Sequence, residues 1–258
     1  MPGTTSRSWL PIDGGLNLRD IGGLPCADGA TTRHGVLLRS GWLRMLTADD
    51  VAALTTVIGV ETVIDLRTLR EVAADCPSVL ARAGVATVHL PLAREDQPAL
   101  PETQQRAHVD PAAALEQAYL GYLGERGHHL VTAARVVAWS AGATLLHCAA
   151  GKDRTGVTVA MLLDAVGVAR AGVIADYTAT NDVIEQIVRT LATAHGYTGE
   201  IESVDVTVHL ARPAVLSAVL EQVDAEYGGA AEWLRWHGLT DGELAALRGR
   251  LVRPAHQT

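Results

Sequence analysis

Phenylalanine is absent from this 258-residue chain, and cysteine occurs only three times. Leucine, valine, alanine, tryptophan and tyrosine must therefore fill the interior, which is substantial because a chain of this length buries roughly 70 to 75% of its unfolded surface. The three cysteines, Cys26, Cys76 and Cys148, are too few for the disulfide framework of a small secreted domain. A reactive thiol among them would need a reducing environment or protection from oxidation.

An excess of positive charge is also missing. The formal net charge is −8, and lysine occurs only once, at Lys152. Nucleic-acid binding depends on clustered positive charge that neutralises phosphates, so we expect no nucleic-acid partner. Attraction for an anionic substrate must instead be confined to one local site.

No apolar run is long enough to predict an integral membrane segment. A spanning helix needs about 18 or more apolar residues, and Asp164 interrupts the best candidate. Residues 1–11 lack the apolar core of a secretory signal, and we interpret them as a flexible leader before a single domain over residues 12–258. We expect a cytoplasmic protein, and secretion by a route without a cleaved signal stays open.

The order of the secondary-structure signals favours an α/β fold. Short apolar strands, separated by helical segments, are predicted at residues 36–39, 62–66, 85–90 and 143–146. This alternation predicts a mostly parallel central sheet flanked by helices. Because ligands bind at the carboxyl ends of such strands, we expect Asp65 and the pair His147-Cys148 to share one rim of the sheet.

Residues 144–158 read T-L-L-H-C-A-A-G-K-D-R-T-G-V-T and predict a strand, a short loop and a buried helix. The loop places Cys148 and Arg154 at a C-x5-R spacing. Unpaired N–H groups at the start of a helix, together with the helix dipole, form an anion site. The guanidinium of Arg154 adds a planar fork for two phosphate oxygens. The predicted phosphate-binding residues are Ala149, Ala150, Gly151, Lys152, Asp153 and Arg154.

The same surroundings would make Cys148 a nucleophile, because the loop amides and Arg154 favour the thiolate. A thiolate beneath a bound phosphoryl group can attack phosphorus in line with the leaving oxygen, which gives a phosphocysteine that water then hydrolyses. Thr155 is placed to donate its hydroxyl to the departing thiolate, and His147 to fix the loop through its ring nitrogens. This chemistry requires no metal and no other cofactor.

The leaving oxygen needs a proton, and the sequence offers three places for the donor. Asp153 lies inside the loop and is the candidate that we favour. Asp96, or its neighbour Glu95, lies in residues 91–110, which lack periodicity and which we interpret as a mobile loop. Asp65 ends a neighbouring strand, where it could donate the proton or hold the loop instead.

Four segments together resemble a known family: H-C-A-A-G-K-D-R-T-G at 147–156, N-L-R-D-I-G-G at 17–23, L-R-S-G at 38–41 and D-L-R at 65–67. They are similar to a bacterial branch of the cysteine-dependent protein tyrosine phosphatase superfamily, and the resemblance extends from about residue 12 to the C-terminus. It implies the protein tyrosine phosphatase fold. It also implies hydrolysis of phosphotyrosine, and often of phosphoserine, phosphothreonine and phosphoinositides.

In this branch a pair of helices covers the reactive cysteine. The helices predicted at 112–123 and 128–139 could form such a lid over residues 112–141, or could simply flank the sheet. Lys152, which we expect at the rim of the loop, could meet a second phosphate of a phosphoinositide or only support the loop electrostatically. The expected partners are therefore phosphorylated proteins or phosphoinositides.

Other functions fit the residues less well. A nucleotide-binding P-loop is excluded, because Leu146 and Asp153 stand where it needs a glycine and a serine or threonine. A sulfurtransferase also carries a loop cysteine after a strand, but the C-x5-R spacing and Thr155 argue against it. The alternative that stays open is a module that binds phosphorylated ligands without turnover, although both Cys148 and Arg154 are present.

Overall fold

The computed structural model describes residues 9–75, 78–96, 110–194 and 206–255. Most of the expected leader, Cys76 and the larger part of the loop expected at 91–110 lie outside the described residues. None of the helices in these ranges is both long and apolar enough to cross a membrane.

The fold is α/β, as the sequence predicts, with helices around a central sheet. The strands in the described ranges are β1 (Arg19–Asp20), β2 (Thr31–Thr32), β3 (Leu37–Ser40), β4 (Val60–Asp65), β5 (Ala86–His89), β6 (Ala143–His147) and β7 (Val252–Arg253). Five of them form one sheet in the order β1-β3-β6-β4-β5. In it β3, β6, β4 and β5 run parallel, and β1 pairs antiparallel at the edge. The prediction of a mostly parallel sheet is therefore confirmed.

Helices connect the strands and follow the last strand of the sheet. Those described are α1 (Ala48–Ala52), α2 (Leu69–Ala73), α3 (Val79–Arg82), α4 (Pro111–Trp139), α5 (Asp153–Ala165), α6 (Arg170–Ala179), α7 (Ile184–Ala192), α8 (Pro213–Tyr227), α9 (Ala230–Trp236) and α10 (Asp241–Leu251). Capping boxes at Thr47, Thr68 and Thr240 begin α1, α2 and α10, and each follows a sequence pattern of threonine with an acidic residue three positions later. In each, the threonine hydroxyl and an acidic side chain three residues later satisfy backbone N–H groups of the first turn.

Both faces of the sheet are buried. Successive side chains of a strand point to opposite faces, and neighbouring residues therefore pack in two different apolar clusters. Ile64 of β4 and Leu146 of β6 pack in one apolar cluster with residues of α4, α5, α8, α9 and α10. Their neighbours Val63 and Leu145 pack in a second cluster that includes Leu80 of α3. Helix α5 lies inside the first cluster, and its side chains are buried from Asp153 to Leu163.

The strand register brings polar side chains together at one rim. His147, the last residue of β6, lies opposite Ser40 of β3 and Asp65 of β4, and Asp65 in turn lies opposite His89 of β5. All of these strands are parallel, so their carboxyl ends meet at the same edge of the sheet. Cys148 follows directly, which places the predicted nucleophile at this rim.

Helix α4 agrees with the prediction of two helices at 112–123 and 128–139. Arg126 leaves helical geometry (φ −125°, ψ 23°), so two helical halves meet at a kink inside residues 124–127. Arg135, in the second half, pairs with Glu243 of α10 at 2.7 Å. That half therefore packs against a neighbouring helix, and the lid over residues 112–141 stays a prediction.

Candidate active site

The loop between β6 and α5 turns sharply at Gly151, where φ is +68°. A Cβ atom there would lie 2.5 Å from the carbonyl oxygen of Ser40, so the position excludes any other residue. The turn directs the amide of Gly151 at the Sγ atom of Cys148, to which it donates at 3.3 Å. This contact stabilises negative charge on the sulfur. Cys148 itself is 1% exposed.

The carbonyl groups of the loop are held on its outer side. The amide of Trp42 donates to the oxygen of Ala149 at 2.8 Å. Asn17 Nδ2 donates to the oxygens of Ala150 and Gly151, both at 3.1 Å. Gly41 allows this close packing, because a Cβ atom there would lie 2.9 Å from the oxygen of Ala149.

Arg154 is fixed by a buried ion pair with Glu71 of α2. Its Nη1 and Nη2 atoms lie 2.6 and 3.0 Å from the two carboxylate oxygens of Glu71. Glu71 Oε2 also accepts from the amide and the hydroxyl of Thr68, so one oxygen both caps the helix and holds the arginine. The side chain of Arg154 is 1% exposed. Glu71 therefore orients the guanidinium fork beside the loop.

The ion pair controls the ionisation of both partners. Burial alone would raise the pKa of Glu71, but the neighbouring Arg154 guanidinium outweighs it and lowers the pKa to about 2. Burial alone would likewise lower the pKa of Arg154, but the charges of Glu71 and Cys148 hold it well above its ordinary value. Both groups are charged at neutral pH.

Glu71→Gln should destabilise the protein in a pH-dependent way. A carboxyl whose folded pKa is depressed stabilises the fold above its unfolded pKa, and this contribution is lost as the pH falls towards about 2. We expect a loss of roughly 3–5 kcal/mol in the free energy of unfolding at neutral pH, because a charged Arg154 is left buried without its partner. The difference from the wild type should shrink as the pH is lowered from neutral to about 3, measured by denaturant unfolding.

Glu243→Gln provides the matched control. Glu243 also completes a capping box, with Thr240, and also pairs with an arginine, Arg135, but this ion pair is partly exposed to solvent, whereas that of Glu71 and Arg154 is buried. Exposed pairs contribute little, so the control should change stability much less than Glu71→Gln. A Glu71→Gln effect that is as small, or that is independent of pH, would contradict the assignment.

Asp65 and His147 form a second polar group beneath the loop. Asp65 accepts from the amide of Arg67 at 3.0 Å and from its guanidinium at 2.8 Å. Burial alone would raise the pKa of Asp65, but His147 and Arg67 together lower it far below its usual range. His147 Nε2 lies 3.6 Å from Asp65, and its Nδ1 lies 3.3 Å from the oxygen of Cys148. Burial lowers the pKa of His147, an effect that Asp65 opposes.

Asp153 lies in the first turn of α5 and is buried. The hydroxyl of Tyr119, from the first half of α4, donates to its Oδ1 at 2.6 Å. The same hydroxyl lies 2.8 Å from that of Tyr177 on α6. Lys152 Nζ is 3.5 Å from Asp153 Oδ1. Tyr119 and Lys152 thus both lie beside the Asp153 carboxylate, and Tyr177 contacts the Tyr119 hydroxyl.

Lys152 does not lie at the rim of the loop, as the sequence analysis expects. Its side chain is 1% exposed, and Nζ donates to the carbonyl oxygen of His209 at 2.9 Å. The ammonium group therefore ties the loop to the 3-10 turn that ends at His209. Its buried position corrects the expectation that it meets a second phosphate at the surface.

The alternative acids are placed differently. Asp96 is exposed and pairs with Arg94 at 3.0 Å, and the hydrogen bond from Arg94 lowers its pKa. Glu95 accepts from the amides of Leu69 and Arg70, at 2.8 and 3.2 Å, and so caps the start of α2. Neither carboxyl has a described hydrogen bond to the phosphate-binding loop.

Thr155 is completely buried. Within the described part of the chain, its Oγ1 atom has no hydrogen-bond partner. A hydroxyl in this position can rotate to donate without first breaking another bond. This fits the predicted donation to the Cys148 thiolate.

Several residues that shape the site are not among the predicted site residues. They are Asn17, Arg39, Trp42, Glu71, Tyr119 and Asp176. Asn17 and Arg39 belong to the N-L-R-D-I-G-G and L-R-S-G segments, so their motifs were recognised but not their contacts. The sequence pattern around Glu71 indicates a capping box with Thr68 but not the contact of its carboxylate with Arg154. No local pattern indicates that these side chains reach the loop.

Comparisons with known proteins agree with this geometry. The profile described as the tyrosine phosphatase family matches residues 10–253. A putative tyrosine-protein phosphatase of Cupriavidus necator is 30% identical over 259 residues, which cover 95% of this chain and 89% of that protein. The triple specificity protein phosphatase PtpB of Mycobacterium tuberculosis is 30% identical, with 93% of this chain and 98% of that protein covered. A tyrosine-protein phosphatase of Nostoc commune is 31% identical, with 83% and 73% covered.

Proposed function

The chain belongs to the tyrosine phosphatase family, and we propose that it hydrolyses phosphotyrosine and further phosphate monoesters through the loop at 148–154. The observation that carries this proposal is the donation from the Gly151 amide to the Sγ atom of Cys148, next to a guanidinium that Glu71 holds in place. A nucleophile and phosphate-binding groups thus occupy one loop.

In the first step, the thiolate of Cys148 attacks phosphorus and the bond to the leaving oxygen breaks. Charge on the three phosphoryl oxygens is met by the loop amides and by Arg154. The leaving oxygen takes a proton and departs as an alcohol or phenol. The product is a phosphocysteine, in which the phosphoryl group is bonded to sulfur.

In the second step, water attacks the phosphocysteine, the bond between phosphorus and sulfur breaks, and inorganic phosphate leaves. The sulfur departs as a thiolate, so donors directed at it lower the barrier. The amide of Gly151 is one such donor, and we assign the hydroxyl of Thr155 as the second. A base removes a proton from the attacking water.

We assign the acid and base role to Asp153. Asp65 is tied to Arg67 at the end of β4, and Asp96 is exposed and paired with Arg94. Neither carboxyl has a described hydrogen bond to the phosphate-binding loop, of which Asp153 is a part. Asp153 neighbours Arg154, and Tyr119 fixes one of its oxygens. The contacts from Tyr119 and Lys152 stabilise the carboxylate that remains after proton transfer, which is the form that accepts a proton from water in the second step.

Asp153→Asn should slow turnover in proportion to how much the leaving group needs a proton. For a phosphoseryl peptide, whose alkoxide is a poor leaving group, we expect kcat/KM, which reports the first step, to fall about 10²–10³-fold. For an aryl phosphate with an acidic phenol, the fall should be about tenfold or less, because the phenoxide leaves without a proton. Steady-state kinetics on both substrates measure the difference.

Tyr119→Phe is the matched control, because it removes the hydrogen bond to Asp153 but keeps the carboxyl. It should reduce turnover of both substrates by a similar, smaller factor. Equal losses for the two substrates in Asp153→Asn would instead assign Asp153 a purely structural role in the loop. No loss for either substrate would remove it from the mechanism.

The proposed function is tested by phosphate release from a phosphotyrosyl peptide, a phosphoseryl peptide and a phosphoinositide, with the purified and reduced protein. We expect turnover of the phosphotyrosyl peptide. The name of the Mycobacterium relative states a triple specificity, which supports testing a broader range. Binding of a phosphopeptide without release of phosphate from any substrate would favour the phospholigand-binding module instead.

A further inference from the structure

We propose that Asn17, supported by Arg39 and Asp176, is a positioning residue that orients two successive peptide groups of the phosphate-binding loop. The inference rests on the proposed function, since it explains how the loop amides come to face the substrate phosphate. Asn17 lies before β1 and is buried, and its side chain reaches the outer side of the loop.

The argument starts from the planarity of the peptide bond. In a trans peptide, the carbonyl oxygen of one residue and the N–H of the next point in opposite directions. A donor that holds the carbonyl of Ala150 on the outer side therefore turns the amide of Gly151 inward. The inward direction of that amide is observed directly, because it donates to the Sγ atom of Cys148 at 3.3 Å.

The next peptide group is held in the same way. The oxygen of Gly151 accepts from Asn17 Nδ2 at 3.1 Å and from Arg39 Nη2 at 2.6 Å. The amide of Lys152 is thereby turned towards the inner side. Trp42 fixes the preceding peptide through the oxygen of Ala149, but it does so with a backbone amide. Asn17 and Arg39 are therefore the side chains that set the direction of the Gly151 and Lys152 amides.

The orientation of the Asn17 carboxamide is itself determined. Its Oδ1 atom faces Arg19 Nη1, and a guanidinium can only donate, so this atom must be the oxygen. The NH₂ group must then face the loop carbonyls. The backbone of Asn17 is in the left-handed region, with φ at 55°, which asparagine adopts more readily than most residues. The residue type and the backbone conformation at position 17 therefore both suit an asparagine that donates to the loop carbonyls.

Asp176 of α6 holds the two arginines that support this arrangement. Its carboxylate accepts from Arg19 Nε at 2.9 Å and from Arg39 Nη1. All three side chains are buried. Two guanidinium groups and one carboxylate sum to one positive charge, which lies behind the loop and favours an anion in front of it.

Asn17→Asp tests the assignment with minimal change in shape. The variant keeps an oxygen for Arg19 but replaces the donor to the loop carbonyls with a second oxygen, which repels them. We expect the affinity for inorganic phosphate, measured by titration calorimetry, and kcat on an aryl phosphate each to fall about 10²-fold, as for loss of one oxyanion donor. Unfolding in denaturant reports separately on stability.

Asn181→Asp is the matched control. Asn181 also donates through Nδ2 to a backbone oxygen, that of Ala211 at 3.0 Å, and accepts from the amide of Ala211 at 2.7 Å. The chemical change is the same, but Asn181 has no described hydrogen bond to the loop. It should alter stability without altering phosphate affinity. Equal losses of phosphate affinity in the two variants would overturn the proposal.

Asn17→Gly and Arg39→Lys complete the test if Asn17→Asp does not fold. Glycine tolerates the positive φ and removes the donor without adding charge. Lysine retains a positive charge for Asp176 but lacks the second arm of the guanidinium. Phosphate affinity within threefold of wild type in either folded variant would overturn the proposal. Phosphate binding is measured independently of turnover, so failure of the wild type to hydrolyse any substrate would refute the proposed function and leave this test intact.

Discussion

Replacing Cys148 by serine should reduce phosphate release by about 10⁴-fold or more, the scale expected when a covalent nucleophile is removed. A serine hydroxyl stays protonated at neutral pH, and no described side chain forms a hydrogen bond with position 148 that could remove its proton. The substitution changes one atom of a buried side chain. The fold and the phosphate-binding amides should therefore be retained.

Cys148→Ser should lose phosphate release but keep phosphopeptide binding. We expect Cys148→Ser to bind a phosphotyrosyl peptide with an affinity near that of the wild type, because Arg154 and the loop amides remain. Calorimetry with the peptide and a steady-state assay measure the two quantities. Turnover within tenfold of wild type would exclude the phosphocysteine mechanism.

Cys26→Ser is the control for the effect of the thiol itself. Cys26 is also buried and free, but it lies near Val168, away from the loop, and burial raises the pKa of its thiol. This variant should keep wild-type turnover. A comparable loss of turnover in both variants would indicate a general effect of replacing a buried thiol and not loss of a nucleophile.

Arg154→Lys should lower kcat by about 10³-fold, the lower range for removal of an arginine that stabilises phosphoryl transfer. Lysine keeps the charge but not the planar fork, which grips two oxygens at once. In the structure the fork makes two parallel contacts with Glu71, at 2.6 and 3.0 Å. A single ammonium group cannot hold Glu71 and two phosphate oxygens in this geometry.

The control for this substitution is Arg235→Lys. Arg235 also forms two ion pairs, with Glu232 and Asp241, but it lies on the surface of α9. Its replacement should leave kcat unchanged. If Arg154→Lys retained kcat and only raised KM, Arg154 would contribute to substrate binding and not specifically to the transition state.

The elements that the sequence predicts well are those encoded by neighbouring residues. The capping boxes at Thr47, Thr68 and Thr240 each depend on residues three apart, and all three begin helices. The strand at 143–146 and the helix after the loop follow from short apolar patterns. Cys148 and Arg154 also lie close together in the sequence, so the C-x5-R spacing alone predicts the phosphate-binding loop.

The remaining features depend on contacts that no local pattern contains. Glu71 lies 83 positions from Arg154, and its capping function explains the residue without reference to the loop. The sequence analysis expects Lys152 at the rim of the loop, but the ammonium group is buried, where it donates to the carbonyl of His209 and lies beside the carboxylate of Asp153.

The outer support of the loop also has a consequence for folding. Asn17 and Ala150 are 133 positions apart, and Arg19 and Asp176 are 157 positions apart. Closing such long segments of chain costs entropy before the contacts are gained. We therefore expect the loop amides to reach their catalytic directions only when the segments around residues 17, 150 and 176 have come together, so that catalytic competence depends on long-range folding and not on β6 and α5 alone.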